Sequence, residues 1–114
     1  MKTERGSVTV ELALALPAVA ALAALVLALG AAALNQVRCA DAARAGAREA
    51  ALGSDNAGVS AVARRLAGED ALVVVDREGD LVTVRVERQV RLPGRVLTAS
   101  AAATAACEPD RGCL

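Results

Sequence analysis

The chain has 114 residues, carries no net charge, with 13 basic and 13 acidic side chains, and contains no Phe, Trp, Tyr or His. This length allows one small domain with an appendage, and the balanced charge excludes the basic surface of a nucleic-acid-binding protein. Without His the commonest general base and metal ligand is missing, and no cysteine cluster, phosphate loop or nucleophile–base set replaces it. We therefore expect no enzyme activity, cofactor, metal or small-molecule substrate.

The first element is an apolar segment, residues 12–34, which contains only Leu, Ala, Val, one Pro and one Gly. As a helix it would measure about 34 Å, enough for the roughly 30 Å hydrocarbon core of a bilayer. We predict a transmembrane helix. One alternative is a buried core helix, but the rest of the chain is too small to cover it. The other is a secretory signal cut after about residue 33, although such signals have shorter apolar regions.

The composition of this segment indicates what it packs against. Eleven of its 23 residues are Ala, and small side chains let membrane helices approach each other closely. Pro17 removes the backbone hydrogen bond to the carbonyl of Ala13 and predicts a kink between residues 13 and 16. Basic residues lie on both sides of the span, so they do not orient it. The short N-terminal tail favours an N-terminus in the cytoplasm.

After the span, residues 35–52 are predicted to continue the helix, with Asp41 and Arg44 paired on its charged face. Gly53 is the expected C-cap. A second helix over residues 57–67 should end at Gly68. The predicted apolar stripes are Val37, Ala40, Ala43, Ala47 and Ala51 on the first of these helices, and Val59, Val62, Ala63 and Leu66 on the second.

The remaining chain changes to a period of two. Residues 72–75 form a compact apolar run, residues 77–80 predict a turn, and residues 81–92 alternate apolar and polar side chains. Pro93-Gly94 breaks this strand, and residues 96–106 resume the alternation; their Ala content is also compatible with a helix. We predict an α+β fold in which a three-stranded antiparallel meander is covered by the helix that follows the span.

Two stretches, RGSVTVELALALP at residues 5–17 and QVRCADAARAGAREA at residues 36–50, resemble a known family. Gly6, Ser7 and Glu11 at the edge of the apolar helix resemble the processing site of type IV prepilins. The whole chain looks like a TadE-like pseudopilin of the tight-adherence (Tad) pilus system. The resemblance implies a type IV pilin-like fold with a leader (1–6), a transmembrane helix (7–34) and a small extracytoplasmic domain (35–114).

The resemblance also implies a function and a set of partners. A prepilin peptidase would cut between Gly6 and Ser7, and Glu11 would pair with the new α-amino group of Ser7 during assembly. The partners would be other pilin-like subunits, bound through the Ala-rich helix, and the Tad inner-membrane assembly platform. Major pilins of this system usually have an aromatic residue after the glutamate, so Leu12 favours a minor subunit. The protein would lie in the cytoplasmic membrane with its domain outside, or in a surface filament.

Alternatives to this interpretation follow from the residues themselves. Glu11 could simply be a favourable anion in the first turn of a helix. The chain could also be an unprocessed single-span accessory or scaffold protein, or a small domain secreted after signal-peptidase cleavage. The number of residues missing from the N-terminus of the mature protein separates the three possibilities. Six missing residues fit the pseudopilin, none fits the unprocessed protein, and about 33 fit the secreted domain.

Three cysteines in an extracytoplasmic domain favour one disulfide and leave one thiol over. We expect Cys39–Cys107, which would join the helix to the last strand. Closing this long loop would stabilise the domain by about 4 kcal/mol, against about 2–3 kcal/mol for a short one. The alternative is Cys107–Cys113, across a segment whose Pro109 and Gly112 favour a turn.

Overall fold

The computed structural model describes the backbone of residues 2–108 and the side chains of residues 6–108. By its internal contacts the chain divides into two units, Met1–Ala31 and Ala32–Leu114. The elements are α1 (Lys2–Ala51), α2 (Asn56–Ala67), β1 (Leu72–Glu78), β2 (Leu81–Leu92) and β3 (Arg95–Ala106). Their order and type confirm the predicted α+β fold, including the strand that its Ala content left ambiguous.

The first unit contains only the N-terminal part of α1. Its apolar side chains are exposed, Leu14 by 71% and Leu27 by 74%, so nothing within the described part of the chain covers them. Within that part, one helix is long and apolar enough to cross a membrane. The helix is continuous through Pro17, and the kink at this residue stays a prediction.

The end of α1 is set by Gly53, as predicted. Its φ of 96° lies in the left-handed region, which glycine enters without steric cost. The amide of Gly53 donates to the carbonyl of Ala50, and that of Ser54 donates to Glu49. These two bonds form a Schellman motif, which satisfies carbonyls that the helix leaves open.

Helix α2 begins one residue before its predicted start. The side chain of Asp55 accepts a hydrogen bond from the amide of Gly58 at 2.9 Å, which makes Asp55 the N-cap. At the other end the amide of Gly68, with φ of 119°, donates to the carbonyl of Arg64. Gly68 therefore ends the helix as the sequence predicted.

The sheet is an antiparallel meander in the order β1-β2-β3. Strand β1 is longer than predicted, because Glu78 still pairs with Leu81 and the turn is only Gly79-Asp80. Gly79 takes a positive φ at the first loop position, as in a type II′ turn. In the second turn, Pro93-Gly94, the positive φ falls on Gly94, as in a type II turn.

The C-terminal part of α1 covers one face of the sheet, as predicted. At Gly46 an added Cβ would come within 3.0 Å of Val84 Cγ1, so glycine permits the close approach of helix and sheet. Valine is the largest fully buried side chain, which gives a thin core. The buried apolar residues are Cys39, Ala42, Ala43, Ala47, Ala50, Val59, Ala63, Ala67, Ala71, Val82, Val84, Val86 and Ala99.

The predicted apolar stripes are partly wrong. Val37 is 56% exposed and Leu66 45% exposed, whereas Cys39 and Gly46 lie on the buried face of α1. Alanine occupies the half-buried positions beside the sheet (Ala40, Ala45 and Ala51) as well as the buried ones (Ala42, Ala43, Ala47 and Ala50), so its spacing alone did not define the centre of the buried face. The predicted pair Asp41–Arg44 is present at 3.8 Å. Both side chains are exposed, so the pair adds little stability.

Candidate processing and assembly segment

The resemblance placed a cleavage site at Gly6, and the structure shows how this glycine is packed. Gly6 lies within α1, and a Cβ built on it would meet no atom within 4 Å. Its φ is not in the left-handed region, where only Gly53, Gly68, Gly79 and Gly94 lie among the described residues. Neither packing nor backbone conformation within the described chain therefore requires glycine at this position.

Ser7 and Glu11 share one face of α1. They are separated by four residues in a continuous helix, a spacing that puts their Cβ atoms about 6 Å apart. Both are exposed, and Glu11 has no ion-pair partner among residues 6–108. An amino group at the main-chain nitrogen of Ser7 would thus lie within reach of the Glu11 carboxylate of the same chain.

The predicted disulfide between Cys39 and Cys107 is wrong. Cys39 is a free, fully buried thiol, and its Sγ donates to the carbonyl of Ala99 at 3.7 Å. Eight residues of extended chain separate Ala99 from Cys107, roughly 26 Å, whereas a disulfide needs Cα atoms within about 7 Å. The alternative, Cys107–Cys113, stays a prediction because Cys113 lies outside the described residues.

Burial shapes the chemistry of the Cys39 thiol. Desolvation raises the pKa of Cys39, and the nearby guanidinium of Arg88 lowers it by a smaller amount. The thiol therefore stays protonated at neutral pH, and a thiolate is the reactive form of cysteine. Cys39 is a packing residue in the folded domain.

Two arginines that the sequence analysis did not single out hold the small domain together. Arg88 Nη1 donates to the carbonyl of Ala67 at 2.7 Å, at the C-terminal end of α2, where helix carbonyls lack partners. Arg77 Nη2 donates to the carbonyl of Ser54 at 3.0 Å and to Asn56 Oδ1 at 3.1 Å. The sequence pattern places Arg77 in a turn and Arg88 in an alternating strand, and it does not reveal these contacts because their partners are distant in sequence.

Residues 6–48 match the family model described as TadE-like protein. The match confirms, over these residues, the resemblance seen in the sequence. It covers less than half of the 114 residues, namely α1 from the glycine of the candidate site almost to its end. No curated protein and no solved structure matches the chain.

Proposed function

We propose that this protein is a pseudopilin or minor pilin of a Tad-type pilus or secretion filament. The proposal starts from the match of residues 6–48 to the model of TadE-like proteins. In this proposal a prepilin peptidase removes residues 1–6. The mature chain then joins or primes the filament through its N-terminal helix. It is a structural subunit and has no catalytic role.

The observation that carries the proposal is the arrangement of Gly6, Ser7 and Glu11. A glycine that the described chain does not need for packing is explained if a protease must approach its backbone. Glycine also weakens a helix by about 1 kcal/mol relative to Ala, which eases the local unwinding that cleavage requires. The fold supports the proposal by leaving this position open.

Cleavage would create an ion-pair partner for Glu11, which has none among residues 6–108. A carboxylate at the edge of a bilayer is costly unless it is paired, and the new α-amino group of Ser7 carries a positive charge. Within one chain the two groups lie one helical turn apart. The same carboxylate could instead bind the α-amino group of a neighbouring subunit. A change from the pair within one chain to the pair between chains would bring a new subunit into register with the filament.

The exposed apolar surface of α1 supports the remaining parts of the proposal. Residues 12–34 would hold the precursor in the cytoplasmic membrane with the small domain outside. In the filament the same Ala-rich surface would pack against the helices of other pilin-like subunits, since small side chains allow close approach. The proposed partners are these subunits, the peptidase and the Tad assembly platform.

The test is the N-terminal sequence of the protein isolated from its own cells. A mature chain that begins at Ser7 is the expected result. An intact N-terminus would favour an unprocessed scaffold, and a start near Leu34 would favour a secreted domain.

A matched pair of variants sharpens this test. Gly6→Leu should leave the precursor at full length. Gly30→Leu places the same side chain at a helical glycine that is equally open, and cleavage should proceed normally. Normal cleavage of Gly6→Leu would contradict the proposal.

A further inference from the structure

The sheet has one face that the described part of the chain leaves uncovered. We call it the outer face, because α1 and α2 pack on the other. Leu72 and Val74 lie on it, and their side chains are 55% and 40% exposed. Exposed charges lie beside them, Arg85 on β2 and Asp76 and Glu78 on β1. Exposed apolar side chains rimmed by charges are typical of an interaction surface.

The pairing register puts these three charges in order along the sheet. Asp76 pairs with Thr83, which lies two residues from Arg85 on β2. Glu78 pairs with Leu81, a further two residues along. Followed in the direction of β1 and β3, the outer face therefore presents a positive charge and then two negative charges. The row is about 13 Å long, since each step is two strand residues.

The C-terminal part of α1 exposes a row of the opposite signs. Asp41, Arg44 and Arg48 lie on the side of the helix that faces away from the sheet, in the order negative, positive, positive. This row is about 10 Å long. Asp41 and Arg44 pair at 3.8 Å, but their side chains are 59% and 74% exposed, so the pair is weak. No other ion pair joins charged side chains among residues 6–108.

The two rows match in sign and spacing when the helix of one copy lies on the outer face of another. The opposed pairs are Asp41–Arg85, Arg44–Asp76 and Arg48–Glu78. The rows differ in length by about 3 Å, which long arginine side chains can bridge. The match also depends on direction. A reversed helix would set Arg48 against Arg85 and Asp41 against Glu78, and like charges repel.

The matching direction is the one that α1 has on its own sheet. Cys39 Sγ contacts the carbonyl of Ala99, and seven residues later Gly46 lies against Val84, which pairs with Ala103. This part of α1 therefore runs parallel to β3. Two copies joined through the matched rows would share one orientation, as identical chains inserted in one membrane in one direction do.

We propose that the exposed side of α1 docks on the outer face of the sheet of a second copy of this chain. Val37, which is 56% exposed and one turn before Asp41, would contact Leu72 beside the charged rows. Each copy has both surfaces, so the contact is heterologous and can repeat from copy to copy. The inference names one partner of the proposed filament subunit, and it rests on the proposed function for the shared orientation of the copies.

Charge reversal at the Asp41–Arg85 pair tests the contact in the full-length chain. Asp41→Arg sets two cations against each other, and Arg85→Glu sets two carboxylates against each other. Each variant alone should weaken self-association roughly tenfold, since attraction is replaced by repulsion. An equimolar mixture of the two variants restores opposite charges between unlike copies and should associate like the unaltered chain. The measurement is sedimentation equilibrium in density-matched micelles of a nonionic detergent.

The matched controls are Glu69→Arg and Arg65→Glu, two exposed positions outside both rows. They produce the same two net charges as the test variants, so they account for any attraction or repulsion between whole chains. Alone and mixed, they should associate like the unaltered chain. Resistance of the buried Cys39 thiol to alkylation confirms that each variant is folded.

The expected result is weakening of both test variants with recovery in their mixture, and neither effect in the controls. Equal behaviour of the test and control pairs would overturn the docking, as would an unaltered chain that stays monomeric. Weakening without recovery would show that Asp41 and Arg85 do not face each other, and would also overturn it. The proposed function is tested separately, by the N-terminal sequence of the mature chain, so the two can fail independently.

Discussion

Truncating one core valine tests whether the small domain depends on a thin aliphatic core. Val84, the fourth of the twelve residues of β2, is fully buried and faces Gly46 of α1. Val84→Ala removes two methyl groups, about 0.8 kcal/mol each in transfer free energy, and leaves a cavity that raises the loss to about 2–3 kcal/mol. A domain of about 80 residues has only about 3–5 kcal/mol to lose.

The buried thiol of Cys39 provides the assay, because it can be alkylated only when the domain opens. The full-length chain in detergent micelles is treated with iodoacetamide, and trypsin then releases Cys39 in a peptide that ends at Arg44. A loss of 2–3 kcal/mol should speed alkylation of this peptide roughly 30- to 140-fold.

The control for this experiment is Val74→Ala, the same truncation at a side chain on the outer face of β1 that is 40% exposed. It should speed alkylation less than about fivefold, since less apolar area is lost from the core. Equal effects of the two substitutions, or no effect of Val84→Ala, would refute the assignment of the core.

Two further predictions concern single groups. Glu11→Gln should permit cleavage but reduce co-purification of the chain with other pilin-like subunits. The control, Glu87→Gln on the sheet, should not reduce co-purification. Normal assembly of Glu11→Gln would show that Glu11 is only a favourable anion in the first turn of the helix. Because burial raises the pKa of Cys39 above its ordinary value of 9.0, the unfolded chain loses this proton first as the pH rises. The stability of the domain, measured by urea unfolding in micelles, should therefore be constant below about pH 9 and fall above it, and Cys39→Ala should remove most of this fall.

The type and order of the elements could be predicted from the sequence because each depends on local chemistry. The apolar segment is long enough to mark a candidate membrane span, and Gly53 and Gly68 end their helices wherever the rest of the chain lies. Strand β2 alternates apolar and polar residues, and Val82, Val84 and Val86 are buried as that pattern predicts. The candidate site likewise depends only on the spacing of Gly6, Ser7 and Glu11.

Tertiary structure decided which face of α1 is buried and which cysteines meet. An Ala-rich helix has a weak apolar stripe, so the orientation of α1 depends on where Gly46 lets the sheet approach. The sequence carried no signal that Cys39 lies beside Ala99, far along β3 from Cys107. The direction in which the C-terminal part of α1 runs along β3 is also a property of packing alone, because the contacts that fix it, such as Gln36 with Ser100, join residues far apart in sequence.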